Sequence, residues 1–158
     1  MKVEQLISPE RITSGSHAAS KKRALEELST LMAENTPDLT KEEIFESLIG
    51  RERLGSTGLG HGVAIPHGRV KGRDQAVGAF LQLAEAIDFD AVDGKPVDLL
   101  FALLVPDHFT DEHLEVLSQL AEMFANEQLC ERLRKSGSRE QVFDTITHWQ
   151  SGQQTQSA

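Results

Sequence analysis

Helices packed on both faces of a central sheet, an α/β or α+β architecture, are the arrangement this residue pattern predicts. The segment Val97-Asp98-Leu99-Leu100-Phe101-Ala102-Leu103-Leu104-Val105 is apolar at every position after Asp98, as in a strand covered on both sides. Apolar stripes at helical spacing lie before and after it in the chain. The length of 158 residues suits one compact domain with one core, since a chain of this size buries roughly two-thirds of the surface it exposes when unfolded.

Ser20 is placed to cap a helix that gathers Ala24, Leu25, Leu28, Leu31 and Met32 on one face and turns Lys21, Lys22, Glu26 and Glu27 outward. Asn35-Thr36-Pro37-Asp38 ends it. Thr40 followed by Glu43 forms a capping box for a second helix with the stripe Ile44, Phe45, Leu48 and Ile49. Arg51 and Arg53 then fall in or just past its last turn, where the helix dipole alone favours cations, so a structural role for either stands beside a functional one. Leu54 to Gly62 carries four glycines in nine residues and reads as a loop, followed by the short apolar strand Val63-Ala64-Ile65 and, after Pro66, another loop. Ala76 to Leu83 and Val97 to Val105, the latter after the Asp93-Gly94 turn, read as strands. Pro106 to Thr110 breaks the second strand. A helix from about Asp111 follows, with Leu114, Leu117, Leu120, Ala121 and Phe124 at helical spacing. Asn126 caps a short helix through Leu129 and Leu133, and Ser138 with Gln141 opens a last one carrying Val142, Phe143, Ile146 and Trp149. Residues 1–150 form the expected domain, and 151–158, Ser-Gly-Gln-Gln-Thr-Gln-Ser-Ala, the expected disordered tail.

The 25 acidic residues against 16 basic ones give a formal net charge of -9, which opposes nucleic acid and suits a neutral or basic protein partner. The longest apolar run is far shorter than the roughly 20 residues of a membrane span, so no stable membrane insertion is expected, and the N-terminus lacks a secretory signal pattern. Cys130 is the single cysteine. It reads as a small buried apolar residue and is compatible with a reducing cytoplasm.

Gly55 to Gly60 has the length of a phosphate-binding P-loop, but His61-Gly62 stands where Lys and Ser/Thr are required. The dinucleotide pattern also fails, with Val63 in place of a third glycine. The glycines serve either close backbone approach to a ligand or a tight turn. The six histidines, at 17, 61, 67, 108, 113 and 148, include no pair spaced for a metal on one helix. His67 stands between Pro66, which restrains the backbone, and Gly68, which leaves the other side open. An imidazole so exposed is a competent nucleophile toward phosphorus when its second nitrogen is held by a hydrogen bond; a structural loop histidine is the alternative. His113 lies in the first turn of its helix, where backbone N–H groups favour an anion, while Asp111 and Glu112 there are equally ordinary first-turn acids.

From Arg51 through Arg69, including Gly62-Val63-Ala64-Ile65-Pro66-His67-Gly68-Arg69, and on through Phe89 to Pro106 and His113-Leu114, the chain resembles the type-2 IIA domains of the bacterial phosphoenolpyruvate phosphotransferase system. Lys21-Lys22-Arg23-Ala24-Leu25 and the stand-alone form resemble its nitrogen-regulatory branch. The resemblance implies a single α/β domain with a mixed central sheet of about five strands flanked by helices on both faces. It also implies that His67 is phosphorylated, through Nε2, by an HPr-like phosphocarrier, and that His113 and Arg51 hold the phosphoryl group, with Arg53 the competitor to Arg51 and His61 a loop residue. No cofactor and no metal are expected. The amides near Gly60 and Gly62 are expected neighbours of the transferred charge. The implied protein is a cytoplasmic regulator whose phosphorylation controls docking to a kinase, transporter or other target; the alternative is a sugar-transport component serving a fructose- or mannitol-type IIB protein.

Overall fold

The computed structural model describes residues 2–157 apart from Asn35, Phe109 and Thr110, and excludes the side chains of 150–157. Strand β1 (Ile12–Ser16) follows two short 3-10 turns, after which come α1 (Lys21–Glu34), α2 (Lys41–Glu52), β2 (Gly58–Gly60), β3 (Val63–Ala64) and β4 (His67–Val70). The long strands β5 (Val77–Ile87) and β6 (Val97–Pro106) lead to α3 (Asp111–Phe124), α4 (Glu127–Lys135) and α5 (Arg139–Ser157). The expected disordered tail at 151–158 lies outside the residues whose side chains are described.

The predicted caps form. Ser20 Oγ accepts from Arg23 N–H at 3.2 Å, and Thr40 with Glu43 makes the full capping box of α2. Asn126 Oδ1 accepts from Leu129 N–H at 3.0 Å. Ser138 Oγ accepts from Gln141 N–H, but the Gln141 side chain reaches Gly137 N–H one residue earlier than a standard box would.

The sheet is mixed and runs in the order β1-β5-β6-β3-β2, with β4 also beside β6. Only β5–β6 and β2–β3 are antiparallel. Along β6, Leu100, Ala102 and Leu104 join the α1–α2 layer, whereas Leu99, Phe101, Leu103 and Val105 join the α3–α5 layer. That alternation explains a strand apolar at both sets of positions. On the second face Phe80 and Phe124 stack at 6.1 Å between centroids, with Phe101 tilted against both.

Three strands lie where the pattern-based reading placed none: β1, β2 and β4. The glycine-rich stretch contains β2, which turns back into β3 through His61 and Gly62 at φ 56° and 83°, a left-handed pair that makes a tight hairpin. The stretch after Pro66 is not a loop but β4. Val63 faces Leu99 and His67 faces Leu103, the same separation on both strands, so β3 and β4 are one strand in unbroken register, interrupted at Ile65-Pro66. Proline contributes no N–H to a ladder, yet its carbonyl still accepts Leu103 N–H at 2.9 Å.

Gly68 does not serve openness. It is buried against α2, where an added Cβ would overlap Ser47 Oγ and come within 3.0 Å of the Ser47 carbonyl carbon. The same serine donates its hydroxyl to Arg69 C=O at 2.8 Å. Gly68→Ala should therefore push α2 off β4 and destabilise the protein by about 1–3 kcal/mol; a denaturant midpoint equal to wild type would contradict this packing.

Candidate functional site

Pro66 restricts Ile65 to extended backbone, and the Ile65 carbonyl lies 3.0 Å from Nδ1 of His67. A carbonyl oxygen only accepts, so Nδ1 carries the hydrogen and, in the neutral ring, the lone pair resides on Nε2. The half-buried imidazole stands at the first residue of β4.

His67 lines an open cavity of about 350 Å³. Arg51 enters it from the last turn of α2, and Ser56, Thr57, Gly58 and Leu59 form one wall. Val92 closes another side from the β5–β6 connection, and Leu117 and Ala121 approach from α3. Among the described residues, Arg51 is the only Lys, Arg, Asp or Glu that lines the cavity, although the chain carries a net charge of -9. An anion is the ligand this charge pattern suits. Arg51 Nη1 donates to Gly55 C=O at 2.8 Å, which tethers the guanidinium at the cavity mouth with its other donors unspent on that bond.

The structure separates the two arginines: Arg53, exposed at the C-cap of α2, does not line the cavity. His113 is 4% exposed in the first turn of α3. It sits one turn before Leu117 and two before Ala121, on the stripe that reaches the cavity, but is not itself among the lining residues. Gly60 and Gly62 are not among the residues that line this cavity. The hairpin carries Gly60 to Asp93 and Gly62 to Arg134 and Asp98, leaving Gly58 as the glycine in the wall. His61 belongs to that far end, its N–H donating to Asp93 at 3.0 Å and its carbonyl accepting from Arg134.

A larger cavity of about 490 Å³ lies beside His61 and α4, with Cys130 in its lining. Glu127 and Glu131 also line it and Arg134 is already paired with Asp98, so its charge disfavours a phosphoryl group despite its size. Burial pushes the Cys130 thiol above its ordinary pKa, the inert form expected of a packing residue. Among the described residues no group of three or more His, Cys, Asp or Glu is gathered to hold a metal, and no helix is long and apolar enough to cross a membrane.

Pattern reading missed Glu52 and Thr57. The Glu52 side chain is 1% exposed and meets Lys21 Nζ at 3.0 Å; its carboxylate accepts from both the N–H and the hydroxyl of Thr57. Lys21 also lies 4.5 Å over the Phe89 ring. Removing one partner from a buried pair typically costs about 3–5 kcal/mol, so this cluster fixes the loop that forms the cavity wall. A carboxylate in the last turn of a helix opposes the dipole, and that misplacement was the signal available.

Hydrogen bonds from the N–H groups of His61 and then Lys95 hold the Asp93 carboxyl below its ordinary pKa of 3.8. A depressed carboxylate stabilises the fold above its unfolded pKa and loses that contribution as pH falls through the folded value. The thermal midpoint of wild type should thus fall more steeply below about pH 4 than that of Asp93→Asn; parallel acid limbs would contradict the assignment.

The model of the phosphoenolpyruvate-dependent sugar phosphotransferase system EIIA 2 family matches residues 5–149. The nitrogen regulatory protein of Pseudomonas aeruginosa is 44% identical over 153 residues, covering 97% of this chain and 99% of its own. The crystal structure of nitrogen regulatory protein IIA-Ntr from Neisseria meningitidis superposes with a TM-score of 0.86 at 46% identity, covering 91% of this chain and 98% of its own. The IIA mannitol structure from Escherichia coli, at 24% identity and a TM-score of 0.73 over 89% of this chain and 98% of its own, shares the fold.

Proposed function

The chain belongs to the phosphoenolpyruvate-dependent sugar phosphotransferase system EIIA 2 family, and from that membership we propose that it is a cytoplasmic phosphocarrier that accepts a phosphoryl group on Nε2 of His67 from an HPr-like phosphocarrier protein. The observation that carries this reading is the bond from His67 Nδ1–H to Ile65 C=O at 3.0 Å, which leaves Nε2 as the nucleophile. The Nε2 lone pair attacks phosphorus, the N–P bond of the donor's phosphohistidine breaks, and its electron pair returns to the donor's ring. His67 keeps its Nδ1 hydrogen throughout, so the step needs no further base.

Charge spreads over the equatorial oxygens of the group in flight, and a preorganised donor stabilises it more than it stabilises the ground state. Arg51 is that donor in the cavity. His113, buried at the start of the α3 stripe, is assigned the second supporting role, from the positive end of a helix. Phosphorylation adds about -1.5 to -2 charge at the cavity, and the apolar residues around it, Leu59 at 42% exposed and Val92 at 82%, would meet a partner with that charge at their centre. This supports the regulatory reading, in which phosphorylation controls docking to a kinase, transporter or other target. The well-covered relatives above 40% identity named as nitrogen regulatory proteins support the same reading over supply of a sugar-specific IIB protein.

Incubation with phosphoenolpyruvate, the system's first enzyme and an HPr-like carrier should place acid-labile phosphate on the wild type and none on His67→Ala; equal labelling of both would overturn the assignment. Arg51→Ala should slow transfer by about 10²–10³-fold, with carrier binding by titration calorimetry near the wild-type value. His113→Ala should slow it also, and by less than Arg51→Ala; unchanged single-turnover rates would remove each residue from the site.

A further inference from the structure

Resting on the reading of His67 as the phosphoryl acceptor, we propose that Glu52 is a positioning residue for His67, acting through Thr57 and Ile65 to hold the ring in its Nδ1-protonated form. A continuous series of hydrogen bonds joins them. Lys21 Nζ donates to Glu52 Oε1 at 3.0 Å, and Thr57 N–H donates to the same oxygen at 3.2 Å. The Thr57 hydroxyl donates to Glu52 Oε2. Thr57 C=O accepts Ile65 N–H at 3.0 Å, and Ile65 C=O accepts His67 Nδ1–H at 3.0 Å.

Both backbone groups of Ile65 are thus committed, one toward Thr57 and one toward His67. If Thr57 moves, Ile65 loses its anchor on the β2 side, and the carbonyl that fixes the imidazole is free to turn. Pro66 makes the point sensitive, because it has no N–H with which to hold the next peptide. A free histidine ring prefers hydrogen on Nε2, the nitrogen that must be bare for attack, so the protein has to impose the opposite tautomer. Glu52 is the one group in the series that is both ionised and, at 1% exposure, withdrawn from water, where hydrogen bonds to a charge are strongest. It lies next to Arg51 in sequence, so one helix end would supply the phosphate-binding cation on its open side and the clamp for the nucleophile on its buried side.

The test reads the His67 ring nitrogens by ¹⁵N NMR in the unphosphorylated full chain above the imidazole titration, together with single-turnover phosphoryl uptake from an HPr-like carrier. The double variant Lys21→Met/Glu52→Leu replaces the ion pair with apolar groups, avoiding an unpaired buried charge. Its Nε2–H population should rise several-fold over wild type and its uptake at saturating carrier should fall at least about tenfold, with KM for the carrier within about twofold. Ile146→Ala, a core truncation on α5, which contributes no residue to the cavity, should lose stability while keeping the wild-type tautomer. A wild-type tautomer in the double variant, or an equal tautomer shift in Ile146→Ala, overturns the proposal. If the double variant does not fold, Thr57→Val and Thr57→Ser replace it: Val should shift the tautomer and Ser restore it, and identical spectra overturn the proposal. Because the tautomer is read without phosphate, a shift in variants of a protein that takes no label on His67 would refute the acceptor reading and leave the positioning intact. Labelling on His67 with an unmoved tautomer would do the reverse.

Discussion

The hydrogen bond between His67 Nδ1 and the Ile65 carbonyl is the constraint around which the rest of the site is arranged. It exists because a single extended strand, β3 continued by β4, is held in one register along β6 but interrupted by Pro66. The interruption presents a carbonyl to a side chain two residues later instead of to a neighbouring strand. β6 supplies the fixed rail for this, since its side chains are locked into hydrophobic layers on both faces. Close packing leaves such a strand few alternative positions, and the core therefore holds in place the backbone from which His67 projects.

Electrostatics complete what the backbone begins. In a chain of net charge -9, the described residues around the His67 cavity include Arg51 and no carboxylate, while the larger cavity near α4 is bordered by Glu127 and Glu131 beside an Arg134 already paired with Asp98. Acidic residues are thus excluded from one hollow and admitted to the other, and it is charge rather than volume that distinguishes them. The Arg51 guanidinium is restrained by Gly55 before any ligand arrives, which reduces the reorganisation that an anionic ligand would require.

The helices, their caps and the two long strands were legible because each rests on local signals: capping residues, apolar stripes, and a run buried on both faces. β1, β2 and β4 were not. Ile12–Ser16 carries two serines and a glycine and is a strand because β5 pairs with it, while β4 holds only His67-Gly68-Arg69-Val70 and follows a proline, a pattern that locally signals a break. Gly68 was misread for the same reason, as its requirement comes from α2, far away in sequence. At the site, His67 and Arg51 stood in a segment with a recognisable resemblance. Glu52 and Thr57 did not stand out, although Lys21 at the start of α1 and Glu52 at the end of α2 each oppose their own helix dipole. Two charges at the wrong helix ends, satisfied by each other at 3.0 Å, form a long-range pairing that no periodicity reveals.

The position of phosphorus on the imidazole tests the central claim most directly. Long-range ¹H–¹⁵N and ³¹P NMR of the phosphorylated, ¹⁵N-labelled protein should show one phosphohistidine, at His67, with phosphorus on Nε2 and hydrogen retained on Nδ1. Phosphorus on Nδ1 of His67, or on any other histidine, would contradict the account.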